Sequence, residues 1–370
     1  MLAGLWPPQW PFLQGTVARA ALTASAVLLA LPVLEIGYRL QTHRPVLALE
    51  DWRTARIDGI RFGGHGRFDA VLGWAPKDGW ESPGYNTLDH GIRRNLCETD
   101  ARTGGILAVG DVFTNGGYEV ADGETWPAHL ERLTGLPVLN AGVVGYAADQ
   151  IILRAEQLLP ELGPKTLVVG IYEETIARTR FAFYGMPRPY FTIDGGQLVP
   201  HLPARLGDTP QADLGSRLRA ALGHSAVLDA VLARTAPGYW LGKAVEPAHR
   251  MVETAPVQVT CGLLQRLKVR ADAQGVRVLL LLQHARKTLA ESTEPDDDAK
   301  QVAACAKAMG LETIDQFDAL RPAVIERPAI INELYLPASD YGQMSSKGNR
   351  ATAELVAAAL AKTADGRRAD

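Results

Sequence analysis

From residue 106 onward, short and nearly unbroken apolar runs alternate with longer stretches of helical period. Residues 106–109, 138–140, 166–171, 276–282 and 312–314 read as strands, and their Val, Ile and Leu content fits burial on both faces. Residues 124–134, 146–160, 257–273, 297–309 and 347–362 repeat their apolar positions at helical spacing. Strands alternating with helices of this length predict an α/β fold, a central parallel sheet covered on both faces.

The rest of the chain departs from that alternation. Residues 20–34 carry no charge, Arg19 and Glu35 flank them, and the stretch 17–38 gives roughly twenty residues or about 30 Å of helix, enough for a bilayer. Trp6 and Trp10, set among prolines, and Tyr38 at the other end are candidate membrane or partner contacts. A cleaved signal peptide is the rival reading, but no small-x-small site follows Leu34, so a retained transmembrane helix is expected.

Residues 46–105 are rich in Gly and Pro and read as a covering segment of turns and short strands. Within 178–253 the alternation breaks: aromatics cluster between Phe181 and Phe191, and Leu214, Leu218, Leu222, Leu228 and Leu232 mark one or two amphipathic helices. This insertion reads first as extra core, then as a docking surface, then as a lid. Phe183, Tyr184, Tyr190 and Phe191 are its candidate partner contacts. The expected organisation is therefore an anchor at 1–45, a covering segment at 46–105, an α/β domain at 106–362 with an insertion at 178–253, and a tail at 363–370.

Composition narrows the class. The 370 residues are 47% hydrophobic and 21% charged, an ordinary globular balance, and a net charge of −3 with no basic stripe gives no reason to expect nucleic acid. Cys97, Cys261 and Cys305 are widely spaced and lack the pairing of a zinc or redox motif. A Cys261 to Cys305 bridge and free buried thiols both remain open, with free thiols the expectation.

The candidate chemistry lies in three blocks. GDVFTNG (110–116), ETWPAHLERL (124–133) and VLNAGVVGYAADQ (138–150) form a strand, turn, helix and strand unit that delivers Val112 to the carboxyl edge of the sheet. These blocks, with a lead-in Gly73-Trp74 and Asn86…Gly91-Ile92-Arg93, resemble the SGNH hydrolases, the GDSL-like lipases and acylhydrolases, of the membrane-anchored type. The resemblance implies a flavodoxin-type three-layer sandwich. It also implies a serine nucleophile at Val112, an oxyanion amide at Gly145, an oxyanion Asn at Glu173, and an Asp and a His at Asp340 and Gln343.

Only Gly145 and Asp340 keep the implied residue type. An isopropyl group cannot attack an acyl carbon, an amide is no general base near neutral pH, and a carboxylate about 4 Å from an oxyanion would raise its energy by roughly 1 to 4 kcal/mol. Thr114 has a hydroxyl but is expected to bond local backbone. Convergence of Asp111, Glu173, Glu174 and Asp340 on a hard cation is a minor alternative, and His90, His249 and His284 read as ordinary packed or surface histidines.

These residues lead to the expectation of a non-enzyme: a membrane-anchored, extracytoplasmic (periplasmic) accessory subunit of an integral membrane complex, without cofactor or metal. The alternatives are a glycan- or lipid-binding module, and an esterase or acyltransferase of altered mechanism acting on envelope polysaccharide.

Overall fold

The structure is a computed structural model that describes residues 16–95, 105–203, 214–242, 249–337 and 342–366. Trp6, Trp10, Cys97 and Asp340 lie outside the described residues. The chain divides into two compact units, Met1–Ile60 with Gly207–Glu246, and Arg61–Leu206 with Pro247–Asp370. That division cuts the expected covering segment near its start and assigns the middle of the expected insertion to the first unit.

In chain order the first elements are α1 (Thr16–Gln41), α2 (Trp52–Phe62) and a hairpin of β1 (Gly66–Asp69) and β2 (Gly73–Pro76). Then come β3 (Ile106–Val109), α3 (Val112–Asn115), α4 (Trp126–Thr134), β4 (Val138–Asn140), α5 (Ala148–Leu162), β5 (Thr166–Tyr172) and α6 (Glu173–Ala177). The aromatic segment forms β6 (Phe181–Tyr184), β7 (Met186–Pro187), β8 (Tyr190–Asp194) and β9 (Gln197–His201). Next are α7 (Leu214–Leu222), α8 (Ala226–Thr235), α9 (Pro237–Trp240) and β10 (His249–Met251). The remaining elements are α10 (Pro256–Ala273), β11 (Arg277–Gln283), α11 (Arg286–Glu291), α12 (Asp297–Ala308), β12 (Glu312–Asp315), α13 (Gln316–Glu326), α14 (Ile331–Leu334) and α15 (Ser346–Gly366).

In the second unit β4, β3, β5, β11 and β12 lie side by side and all run parallel. Counted by their order among these five strands, the arrangement is 2-1-3-4-5, the flavodoxin-type order whose switch point falls between β3 and β5. Strand alternation sets the layers. Leu107, Val109, Leu167 and Val169 pack with Ile151 and Ile152 of α5, Leu263 and Leu267 of α10 and Val302 of α12. Their neighbours Ile106, Ala108, Val168 and Leu279 pack on the other face with Trp126 and Leu130 of α4 and Val356 of α15.

Helix starts follow local chemistry. Thr125 accepts from the Ala128 amide ahead of α4, and Asp296 accepts from the Asp298 and Ala299 amides ahead of α12. Because α10 and α12 cover the same sheet face, Cys261 and Cys305 come within 6.1 Å between Cα atoms and are joined as a disulfide. The expectation of free thiols is corrected for this pair.

The first unit corrects the expected span at 17–38. Among the described residues no helix is long and apolar enough to cross a membrane. α1 does form, but its second half serves the folded unit. Glu35 accepts from the Ser225 hydroxyl at 2.7 Å and from the Ala226 and Val227 amides at 2.8 and 3.1 Å, so it caps α8. Arg39 pairs with Glu35 at 2.6 Å and donates to the carbonyls of Val46, Ala48 and His224. Two charges that could flank a lipid span are instead fixed inside a protein network.

Candidate functional site

Between β3 and α3 the Gly110-Asp111 turn brings Val112 to the carboxyl edge of the sheet, where open α/β folds place their sites. Val112 lines a cavity of about 360 Å³. Trp74, Val144, Tyr184 and Met186 supply apolar wall, Gly145 and Gln343 lie alongside, and Glu119, Glu174, Arg178 and Arg188 bring charge. Gly145 sits at φ +83°, a left-handed conformation that glycine adopts without strain. Gly73 brings the wall close: a Cβ there would stand 2.0 Å from the Pro187 carbonyl oxygen, so only glycine lets the two segments meet.

Arg178 organises one side of the cavity. Its guanidinium lies 3.5 Å from Asp111 Oδ2 and donates to Glu174 Oε2 at 2.8 Å. Burial pushes the Asp111 carboxyl up to about 6, with Arg178 and the Phe113 amide opposing only in part. Glu174 is half-exposed into the cavity, so its second oxygen is open to a ligand or water.

Arg188 organises the other side. It is 3% exposed, donates Nη1 to Gln150 Oε1 at 2.9 Å and Nη2 to the Gly145 carbonyl at 2.5 Å, and lies over Trp74 and Tyr184 at 5.1 and 5.5 Å. Neither arginine stands out in the sequence as a site residue. Glu174 to Arg178 at helical i,i+4 spacing is the one available signal, whereas the burial of Arg188 between Pro187 and Pro189 carries none.

Glu173 does not occupy the position expected of it. Its side chain turns away from the cavity, accepting from the Thr288 hydroxyl at 2.6 Å, the Ala285 amide at 3.2 Å and His284 Nδ1 at 2.8 Å. The other imidazole nitrogen meets Asp315 at 2.8 Å, so His284 bridges two carboxylates across the ends of β5, β11 and β12. Burial by itself would lower the imidazole, but the hydrogen bonds and charges of Asp315 and Glu173 outweigh it and raise His284 to about 9. His284 is thus a buried cation rather than an ordinary packed histidine.

The other candidates separate. Thr114 is fully buried and, contrary to the expected backbone bond, its hydroxyl has no partner among the described residues. Asp111 and Glu174 meet on Arg178 while Glu173 points elsewhere, and among the described residues no group of three or more His, Cys, Asp or Glu could hold a metal ion. Phe183 and Phe191 are buried at 7% and 1% exposure, which corrects their expected presentation to a partner. Tyr190 stacks on His201 at 4.4 Å, and Tyr184 stacks on His249 at 4.3 Å while reaching the cavity. Tyr38 lies in the first unit, under the Arg44 guanidinium at 5.8 Å.

No protein-family model matches the sequence, and no curated protein matches it. Solved structures resemble it. A lipolytic protein of the G-D-S-L family from Desulfitobacterium hafniense DCB-2 is 13% identical with a TM-score of 0.37, over 68% of this chain and 97% of that one. An acetylxylan esterase from Geobacillus stearothermophilus is 14% identical with a TM-score of 0.37, over 70% and 94% of the two chains. LAE5, an α/β hydrolase from the metagenome of Lake Arreo in Spain, is 14% identical with a TM-score of 0.40, over 70% and 95%.

What the second unit shows by itself is an α/β fold with a parallel sheet in flavodoxin-type order. All three neighbours are described as hydrolytic proteins, which runs against the expectation of a non-enzyme without carrying their activity over to this chain. No finding supports a non-catalytic accessory role. What remains from the sequence is chemical: without a hydroxyl at Val112 or an imidazole at Gln343, the covalent serine route has no nucleophile and no base.

Proposed function

We propose that the protein is a carboxylic ester hydrolase in which Glu174 activates water directly. The Glu174 carboxylate takes a proton from water as the water oxygen bonds to the acyl carbon. Arg178 and the Gly145 amide, on the same cavity, are the donors for the oxyanion that develops. Collapse of the tetrahedral species breaks the bond to the leaving oxygen, which recovers the proton from Glu174, so ester and water give acid and alcohol. The observation that carries this reading is the placement of Glu174 and Arg178, 2.8 Å apart, in the cavity where Val112 and Gly145 meet.

Turnover of short-chain p-nitrophenyl esters by the purified chain tests it. Glu174→Gln is expected to lower kcat/KM by about 10²- to 10⁴-fold with an unchanged melting temperature, and a fluorophosphonate is expected to leave the protein unlabelled. Absence of turnover, or equal turnover by E174Q, overturns the reading.

An extracytoplasmic setting at a membrane surface belongs to the same proposal. The Cys261–Cys305 disulfide, of a kind that persists in oxidising compartments, supports the first part, and the exposed Leu22, Leu29 and Val33 of α1 support the second.

A further inference from the structure

Among the described buried arginines, Arg39 and Arg93 meet a carboxylate, and Arg154 spends its donors, Nε included, on the carbonyls of Ala141, His90 and Gly91. Arg93, fully buried, has Asp122 at 2.8 Å and donates to four backbone carbonyls. Arg188 is different. Among the described residues its Nε has no hydrogen-bond partner and no carboxylate lies within ion-pair distance of its guanidinium. Asp149 acts on it only from farther away, and burial pushes that carboxyl up to about 7, toward its neutral form. Burial also pulls Arg188 down to about 10, the response of a cation whose charge is not met. A buried charge without a partner is costly, and such a residue lining an open cavity is explained by a ligand that supplies the missing anion.

We infer that the ester taken by this cavity carries a free carboxylate, which Arg188 holds. This rests on the ester hydrolase reading above. Two features select the ligand class. The guanidinium faces are covered by Trp74 and Tyr184, so recognition falls to its N–H edge, the geometry that suits a carboxylate. Glu119 and Glu174 line the same cavity and disfavour a dianion such as a phosphate monoester. Trp74, Val144 and Met186 leave room for a short aliphatic or aryl spacer between the carboxylate and the scissile bond, and about 360 Å³ sets the ligand as a small one.

The test compares kcat/KM for p-nitrophenyl hemisuccinate, for p-carboxyphenyl butyrate and for neutral p-nitrophenyl butyrate, the second ester placing the charge on the alcohol side. A charge-assisted hydrogen bond predicts a preference of roughly 10- to 100-fold for one of the anionic esters over the neutral one. Arg188→Met is expected to bring that ratio to near one, and Arg188→Lys to an intermediate value. Equal or better turnover of the neutral ester by the wild-type chain overturns the inference and leaves the hydrolase reading intact. Calorimetric titration of monomethyl succinate into the wild-type chain covers the remaining case. If no ester turns over, binding of this probe that Arg188→Met abolishes keeps the carboxylate site at Arg188 while the hydrolase reading falls, and absence of binding, or equal binding by the variant, removes both.

Discussion

Glu173 and Glu174 are consecutive, chemically identical, and end in opposite circumstances. Glu173 turns inward at the end of β5, where an amide, a hydroxyl and an imidazolium satisfy it and His284 passes the charge on to Asp315. Glu174 turns into the cavity, where one arginine holds it and much of its surface stays open. The first is a closed circuit of hydrogen bonds; the second keeps a free oxygen. A carboxylate with both oxygens committed to buried donors stabilises the fold and is shut off from a substrate, whereas one with an open oxygen can exchange protons with it. The contrast separates structural from chemical roles at the same sheet edge.

Substitution breaks the comparison most directly. Glu173→Ala leaves a buried imidazolium with one carboxylate in place of two and strips partners from the Ala285 amide and the Thr288 hydroxyl, so a loss of about 3–5 kcal/mol is expected in chemical denaturation. Glu174→Ala should stay within about 0.5 kcal/mol, since Glu174 is half-exposed and Arg178 keeps Asp111 beside it. Equal effects from the two variants would erase the distinction drawn here.

Titration sharpens it next. The folded-state value of His284, about 9, lies above its ordinary 6.5, so the cluster contributes fully below about pH 6.5 and its contribution is lost as pH rises through 9. Unfolding free energy should therefore fall by on the order of 3 kcal/mol across that window, and the slope should vanish in His284→Gln. A flat wild-type profile between these pH values would show that the imidazole is not held as a cation.

Much of this was legible beforehand, and the divide is physical. The five strands and the helices between them follow from apolar periodicity, which local sequence states directly; β3 and β4 fall on residues 106–109 and 138–140 as the pattern assigns them. Val112, Gly145 and Gln343 share a cavity because turn spacing fixes where each is delivered. What sequence does not state is which way a side chain turns once an element has ended. The family resemblance assigns Glu173 to the oxyanion position, but long-range partners on the loop after β11 draw it away. The same limit hid Arg188, the Glu35 cap on α8, and a disulfide whose cysteines lie 44 residues apart.

The finest discrimination lies in Asp111, which stands behind Arg178 and belongs to neither region. Its Oδ1 accepts from the Phe113 amide, a bond that an asparagine oxygen reproduces, so Asp111→Asn should match the wild type at low pH and exceed its stability near neutral pH by on the order of 3 kcal/mol. The sign of its pH dependence is separate from that of His284. A buried carboxyl whose value is raised from 3.8 to about 6 favours the folded state when protonated, so it makes stability fall as pH rises from about 3.8 to 6 and adds no slope above that. D111N should lessen the slope below pH 6, where Asp149, raised to about 7, contributes with the same sign, and leave the one above 7 untouched. If the substitution instead alters the upper window, the Arg178 side and the His284 side are coupled, and the two neighbouring glutamates report on one network rather than two.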